Sequence, residues 1–192
     1  MIIVAPPLHT VPDWHSNPPE SPLLREWLLS EGSLTCLLRQ LSDDLFDVQP
    51  VQQGWQQLRE DECRALGEPS GTLGWVREVF LCGQHQPWVY ARSVASRNAL
   101  DSNGFDLASL GSRSLGELLF SDQAFVRGAF ELCSLPANAW PAALRTDNSG
   151  PAPLWARRSC FTRKDLKILV AEAFLPAFWQ RLAQPAPAGV AN

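Results

Sequence analysis

Gly74-Trp75-Val76-Arg77-Glu78-Val79-Phe80-Leu81-Cys82 and Pro87-Trp88-Val89-Tyr90-Ala91-Arg92-Ser93-Val94-Ala95 are two runs dense in β-branched and aromatic residues. That composition suits strands packed within a sheet. Only Gly83-Gln84-His85-Gln86 separates them, a link too short for a crossover, so the pair reads as an antiparallel hairpin. A second pair repeats the pattern: Leu154 to Thr162 and Leu166 to Leu175, joined around Arg163-Lys164-Asp165. Two hairpins imply one antiparallel sheet.

Helical patterning lies outside these runs. Ser21-Pro22 is a cap followed by a first-turn proline, and Leu23, Leu24, Trp27 and Leu28 recur at helical spacing up to a stop at Gly32. Ser33 caps a second helix, Leu34 to Leu41. Phe46 to Leu58 reads as a strand, Arg59 to Leu66 as one or two helical turns closed by Gly67 and Pro69, Ser114 to Phe120 as a short capped helix, and Gln123 to Cys133 as a strand. The expected class is α+β, a single antiparallel β-sheet with helices covering a face. Five of the 16 prolines fall before Glu20, making residues 1–20 an extended lead-in. Residues 21–183 are then a single domain, with a loop from Leu135 to Pro153 and a disordered tail, 184–192.

Composition narrows the function. The chain has 192 residues, 45% hydrophobic and 19% charged, which is ordinary for a globular domain. A net charge of −4 argues against nucleic acid or an anionic membrane surface as partner. Five widely spaced cysteines (36, 63, 82, 133 and 160) form no C-x-x-C pair, so reduced thiols are expected rather than zinc or disulfides. The Met1-Ile2-Ile3-Val4-Ala5-Pro6-Pro7 start lacks a basic n-region, and no stretch reaches the roughly 18 apolar residues of a membrane span. A cytoplasmic protein is expected. The three histidines, His9, His15 and His85, lie in the leader or a turn, which disfavours a histidine triad or metal site. Dinucleotide, P-loop, zinc-protease and nucleophile-elbow motifs are missing from the sequence.

Two residue types interrupt the apolar strands. Alternation places Glu172 on a face with Ile168, Val170 and Phe174. A lone carboxyl in such surroundings would favour its protonated form, able to donate a hydrogen bond or a proton. A glutamate at a sheet edge facing water fits the same pattern. Arg77 shares a face with Trp75, Val79 and Leu81 and needs an anionic partner if buried. Arg92, with Trp88, Tyr90 and Val94, would stand beside it across the hairpin, and two inward arginines would suit a dicarboxylate. Surface arginines lying along aromatic neighbours fit equally well. Arg157-Arg158 is a weaker signal, because adjacent strand residues point to opposite faces.

At these residues the sequence resembles the chorismate pyruvate-lyase family of ubiquinone and plastoquinone biosynthesis. The resemblance runs from about Ser21 to Trp179. It is densest in Trp75–Cys82, Pro87–Val94, Leu115–Phe120, Leu154–Ser159 and Glu172-Ala173-Phe174-Leu175-Pro176. It implies a cofactor-free, metal-independent carbon–oxygen lyase converting chorismate to 4-hydroxybenzoate and pyruvate in a buried pocket under helical flaps. The family's ligand-contacting positions fall on Leu34, where relatives carry methionine, and on Arg77, Leu115 and Glu172. Arg77 and Glu172 are the candidates for catalysis, and Arg92 for a second carboxylate contact. A monomer is expected. The alternatives are a non-catalytic module that senses aromatic carboxylates, or another chorismate-using enzyme such as a hydrolase.

Overall fold

The computed structural model describes residues 12–103, 107, 110–122, 124–135, 144 and 153–184. The expected loop from Leu135 to Pro153, the start of the lead-in and the last eight residues lie largely or wholly outside the described residues.

Helix α1 (Pro22–Leu28) starts where Ser21 Oγ accepts from Leu24 N, and it ends before Gly32. Ser33 Oγ accepts from Cys36 N and opens α2 (Leu34–Leu41). Strand β1 (Phe46–Gln57) leads to α3 (Glu60–Leu66), which closes on Gly67 at φ 75°, a left-handed conformation that costs glycine little. Strands β2 (Leu73–Gly83) and β3 (Gln86–Ser96) form the first hairpin. Its turn residues Gln84 and His85 have φ 50° and 64°, as a two-residue type I′ turn requires. Then come α4 (Arg97–Asn103), α5 (Leu115–Ser121), β4 (Val126–Arg127), β5 (Glu131–Leu135), β6 (Leu154–Arg163), β7 (Leu166–Phe174) and α6 (Pro176–Ala183).

The seven strands form one antiparallel sheet in the order β1-β2-β3-β7-β6-β4, with β5 also paired to β6. Two expectations change. The single strand from Gln123 to Cys133 is two short strands, because Gly128-Ala129-Phe130 leaves the ladder between them. Helices α4 and α6 extend the chain beyond strands β3 and β7; Pro176 starts α6 in the position where a missing N–H costs nothing.

Most helices gather on one face of the sheet. Leu28, Leu34, Leu38 and Phe178 pack there on Val79, Ala91 and Phe174, and Leu100, Leu115 and Leu119 pack on Ala95, Phe161 and Ile168. Helix α3 covers the reverse face through Cys63 and Leu66 against Val76, Val94 and Leu169. Near the N-terminus, His15 bridges to Leu132 and Trp14 Nε1 donates to Asp61 Oδ2 at 3.0 Å. No helix among the described residues is long and apolar enough to cross a membrane.

Candidate active site

The register of the first hairpin decides which arginine faces the larger helical layer. The ladder slips between Leu81 and Cys82: Cys82 pairs with Pro87 and Leu81 with Val89, leaving Trp88 as the extra residue. An uninterrupted ladder from Gly83 opposite Gln86 would have set Arg77 against Arg92. With the bulge, Arg77 opposes Ser93 and Glu78 opposes Arg92. A one-residue slip exchanges the faces of everything beyond it.

Arg92 therefore leaves the candidate site. It faces α3, where Nε lies 2.6 Å from Glu62 Oε1 and Nη1 lies 2.6 Å from Glu78 Oε1. Two carboxylates already satisfy this guanidinium, so the expected pairing of Arg77 with Arg92 around a dicarboxylate is corrected.

Arg77 stays on the helix-rich face, 3% exposed. Its Nη2 donates to the carbonyls of Gly111 and Arg113 at 2.9 Å, on the segment leading into α5. Its Nε has no partner, and among the described residues no carboxylate forms a salt bridge with it. Burial lowers its pKa from the ordinary arginine value, yet a guanidinium stays protonated at neutral pH. A buried cation held only by carbonyl dipoles lacks several kcal/mol of compensation that an anion would supply.

Glu172 is on the same face, two strands away. It is not the lone carboxylate suggested by its apolar strand neighbours. Register places it opposite Arg157 of β6, and Arg157 Nε donates to Glu172 Oε2 at 2.7 Å. Arg157, 2% exposed, is anchored in turn: Nη1 donates to the carbonyls of Trp27 and Ser30 at 3.1 and 3.0 Å. Neighbouring Arg158 points to the reverse face and meets Asp61 and Glu131, as strand alternation requires. The Glu172–Arg157 pair follows from the second hairpin: an unbroken ladder from Arg163 opposite Leu166 sets Arg157 opposite Glu172, a register that the sequence reading did not follow to its end.

Two helix starts roof this face. Leu34 begins α2 and Leu115 begins α5, at 3% and 4% exposure. Thr35 and Ser114, their neighbours, share a buried hydrogen bond of 2.7 Å between hydroxyls, and Arg39 meets Glu117 at 3.0 Å nearer the surface. Beneath them the central strand β3 presents the small side chains of Ala91, Ser93 and Ala95. A cleft of about 680 Å³ opens to one side, lined by Leu29, Glu31, Phe120, Arg127 and Phe130 among others. Arg127 and Arg157 both lie against the Phe130 ring, at 4.3 and 4.7 Å from its centre, so the cleft approaches the Arg157 end of the site. Burial, followed by the positive charge of Arg157, pushes the Arg127 pKa down.

This arrangement puts an uncompensated buried cation and an anchored carboxylate on one face, over small side chains and under two helix starts. A profile of the chorismate lyase family matches residues 14–184. The chain belongs to the chorismate lyase family. A Pseudomonas aeruginosa protein named "Probable chorismate pyruvate-lyase" is 55% identical over 161 residues, covering 84% of this chain and 88% of that one. A Pseudomonas putida protein of the same name is 58% identical over 155 residues, covering 81% of each. Among solved structures, PhnF from Mycobacterium smegmatis matches with a TM-score of 0.54 at 16% identity, covering 78% of this chain and 66% of that one. A GntR-family transcriptional regulator from Bacillus cereus matches with a TM-score of 0.53 at 9% identity, covering 77% and 99%. At such identities these structural likenesses establish the fold alone.

Proposed function

We propose that this member of the chorismate lyase family converts chorismate to 4-hydroxybenzoate and pyruvate without a cofactor, supplying an aromatic precursor to quinone biosynthesis. The carrying observation is Arg77, a buried guanidinium with no carboxylate partner among the described residues, on one face with the anchored carboxylate of Glu172. A substrate carboxylate supplies the missing countercharge of Arg77. Glu172 hydrogen-bonds the ring hydroxyl or moves a proton; Arg157 holds its Oε2, leaving Oε1 for the ligand. Leu34 and Leu115 close over the ring.

The chemistry suits such a site. The ring C–O bond to the enolpyruvyl ether breaks, the neighbouring carbinol carbon loses its hydrogen as a proton, and the ring becomes aromatic. The released enolpyruvate takes up a proton to become pyruvate. No net electrons or phosphoryl groups are exchanged with a carrier. Aromatisation drives the step, so the protein's task is to hold a reactive conformer and stabilise the departing enolpyruvate. The acidic charge of the chain and its five free thiols suit a monomer working in the reducing cytoplasm.

Incubation of the EDTA-treated protein with chorismate, with products resolved by chromatography, tests this. Equimolar 4-hydroxybenzoate and pyruvate are expected. Saturable binding of 4-hydroxybenzoate with no turnover would overturn the enzymatic reading and leave a sensing module.

A further inference from the structure

Ser93 is unexplained by packing. On β3 it stands between Ala91 and Ala95 on the face toward α2 and α5, with its Cα directly opposite those of Arg77 on β2 and Val170 on β7. It is a polar residue only 4% exposed, set between two alanines of the central strand. Side chains directly opposed on adjacent strands have Cβ atoms about 5 Å apart, so the hydroxyl sits at the base of the Arg77 side chain. Arg77 Nε is buried without a partner, and Ser93 shares its face directly across the ladder, over the small residues of the central strand. A buried donor left unpaired is costly, and a carboxylate that meets it here has a hydroxyl donor within reach.

We propose that Ser93 is a specificity-determining residue whose hydroxyl donates to the same ligand carboxylate that Arg77 binds. The proposal rests on the reading of Arg77 as the carboxylate site. Arg77 supplies charge and Ser93 supplies direction: its hydroxyl fixes the carboxylate over β3, so that the ring projects toward Glu172. Because substrate and product both carry this group, the contact is made throughout the reaction and adds uniform binding rather than rate.

The test compares 4-hydroxybenzoate with 4-hydroxybenzaldehyde, which lacks the carboxylate, by titration calorimetry on Ser93→Ala, Ser93→Thr and Arg77→Ala proteins whose melting temperatures match the parent. A hydrogen bond to a charged group predicts that Ser93→Ala weakens 4-hydroxybenzoate by about tenfold or more. The aldehyde should change by less than about twofold, and Ser93→Thr should restore most of the affinity. KM for chorismate should rise with kcat nearly unchanged. Unchanged affinity in Ser93→Ala, or equal losses for acid and aldehyde, overturns the proposal. Arg77→Ala separates the two readings. If it keeps the preference for acid over aldehyde, the carboxylate reading of Arg77 fails; if it abolishes that preference while Ser93→Ala leaves it intact, only Ser93 is wrongly assigned.

Discussion

Arg77 and Arg157 are both buried guanidinium groups bonded to backbone carbonyls, and they differ in one respect. Arg157 has Glu172 at 2.7 Å, whereas Arg77 has no acid among the described residues. On the proposed reading, Arg157 positions Glu172 and Arg77 receives an external anion. Arg77→Ala should weaken 4-hydroxybenzoate binding by roughly 10- to 100-fold, the worth of one charged hydrogen-bonded contact, measurable by calorimetry. Glu172→Gln keeps the shape but loses the charge. If Glu172 moves a proton, turnover should fall by more than about tenfold, equivalent to ~1.4 kcal/mol of barrier. A smaller fall in steady-state assays would limit Glu172 to holding the ring hydroxyl.

The β2–β3 hairpin translates sequence into this placement. Trp88, the bulged residue, turns its ring over Gly83, where an added Cβ would come within 2.3 Å of the ring. Gly83→Ala must therefore displace either the indole or the turn. We expect it to cost about 1–3 kcal/mol, as overpacking of a filled site does, and to lower ligand affinity as the register loosens. Chemical denaturation and 4-hydroxybenzoate titration of the same variant check both effects; a fully stable variant with parental affinity would show that the bulge does not depend on this contact. The hairpin also marks what the sequence could disclose. Strand identity is written locally, in β-branched and aromatic runs and two short links, as are the serine caps of α1, α2 and α5. Arg77 and Glu172 lie on one face of the sheet, and Leu34 and Leu115 start two helices packed on that face. Register is not local: the Trp88 bulge moves Arg92 to the far side, and nothing in the residue types announces it. The Glu172–Arg157 contact follows from the unshifted second hairpin, whereas the Thr35–Ser114 contact joins residues 79 positions apart and could be found only after the helices were placed.

Across the whole molecule, charge divides by face. Among the described residues the helix-rich face keeps Arg77 without an acid, while the α3 face gathers Glu62, Glu78, Asp61, Arg92, Arg158 and Arg59 into linked ion pairs. The proposed ligand site lies on the first face, and the ion pairs of the second fasten α3 to the sheet. Arg92→Ala leaves Glu78 buried without a cation and Glu62 with Arg59 alone, a loss of about 3–5 kcal/mol. Among molecules that remain folded, calorimetry should find 4-hydroxybenzoate affinity little changed, because Arg92 is on the opposite face; a specific loss of affinity would return Arg92 to the site.

The same ion pairs set the response to acid. Burial alone would raise the pKa of Glu62, but the guanidinium groups of Arg92 and Arg59, with their hydrogen bonds, bring it below its ordinary value of 4.5. A carboxyl group with a depressed folded-state pKa stabilises the protein fully above the unfolded-state value. That stabilisation is lost as pH falls through the folded value, when the buried side chain takes a proton and releases Arg92. Melting temperature should therefore decline steeply below about pH 4.5. Glu62→Gln should be less stable near neutrality, where it lacks the ion pair, and should have a shallower acid limb because it has no proton to bind. Melting curves from pH 7 to pH 3 on both proteins decide the matter. Parallel acid limbs would place the acid sensitivity in other carboxylates and reduce the Glu62–Arg92 pair to a pH-independent fastening of α3.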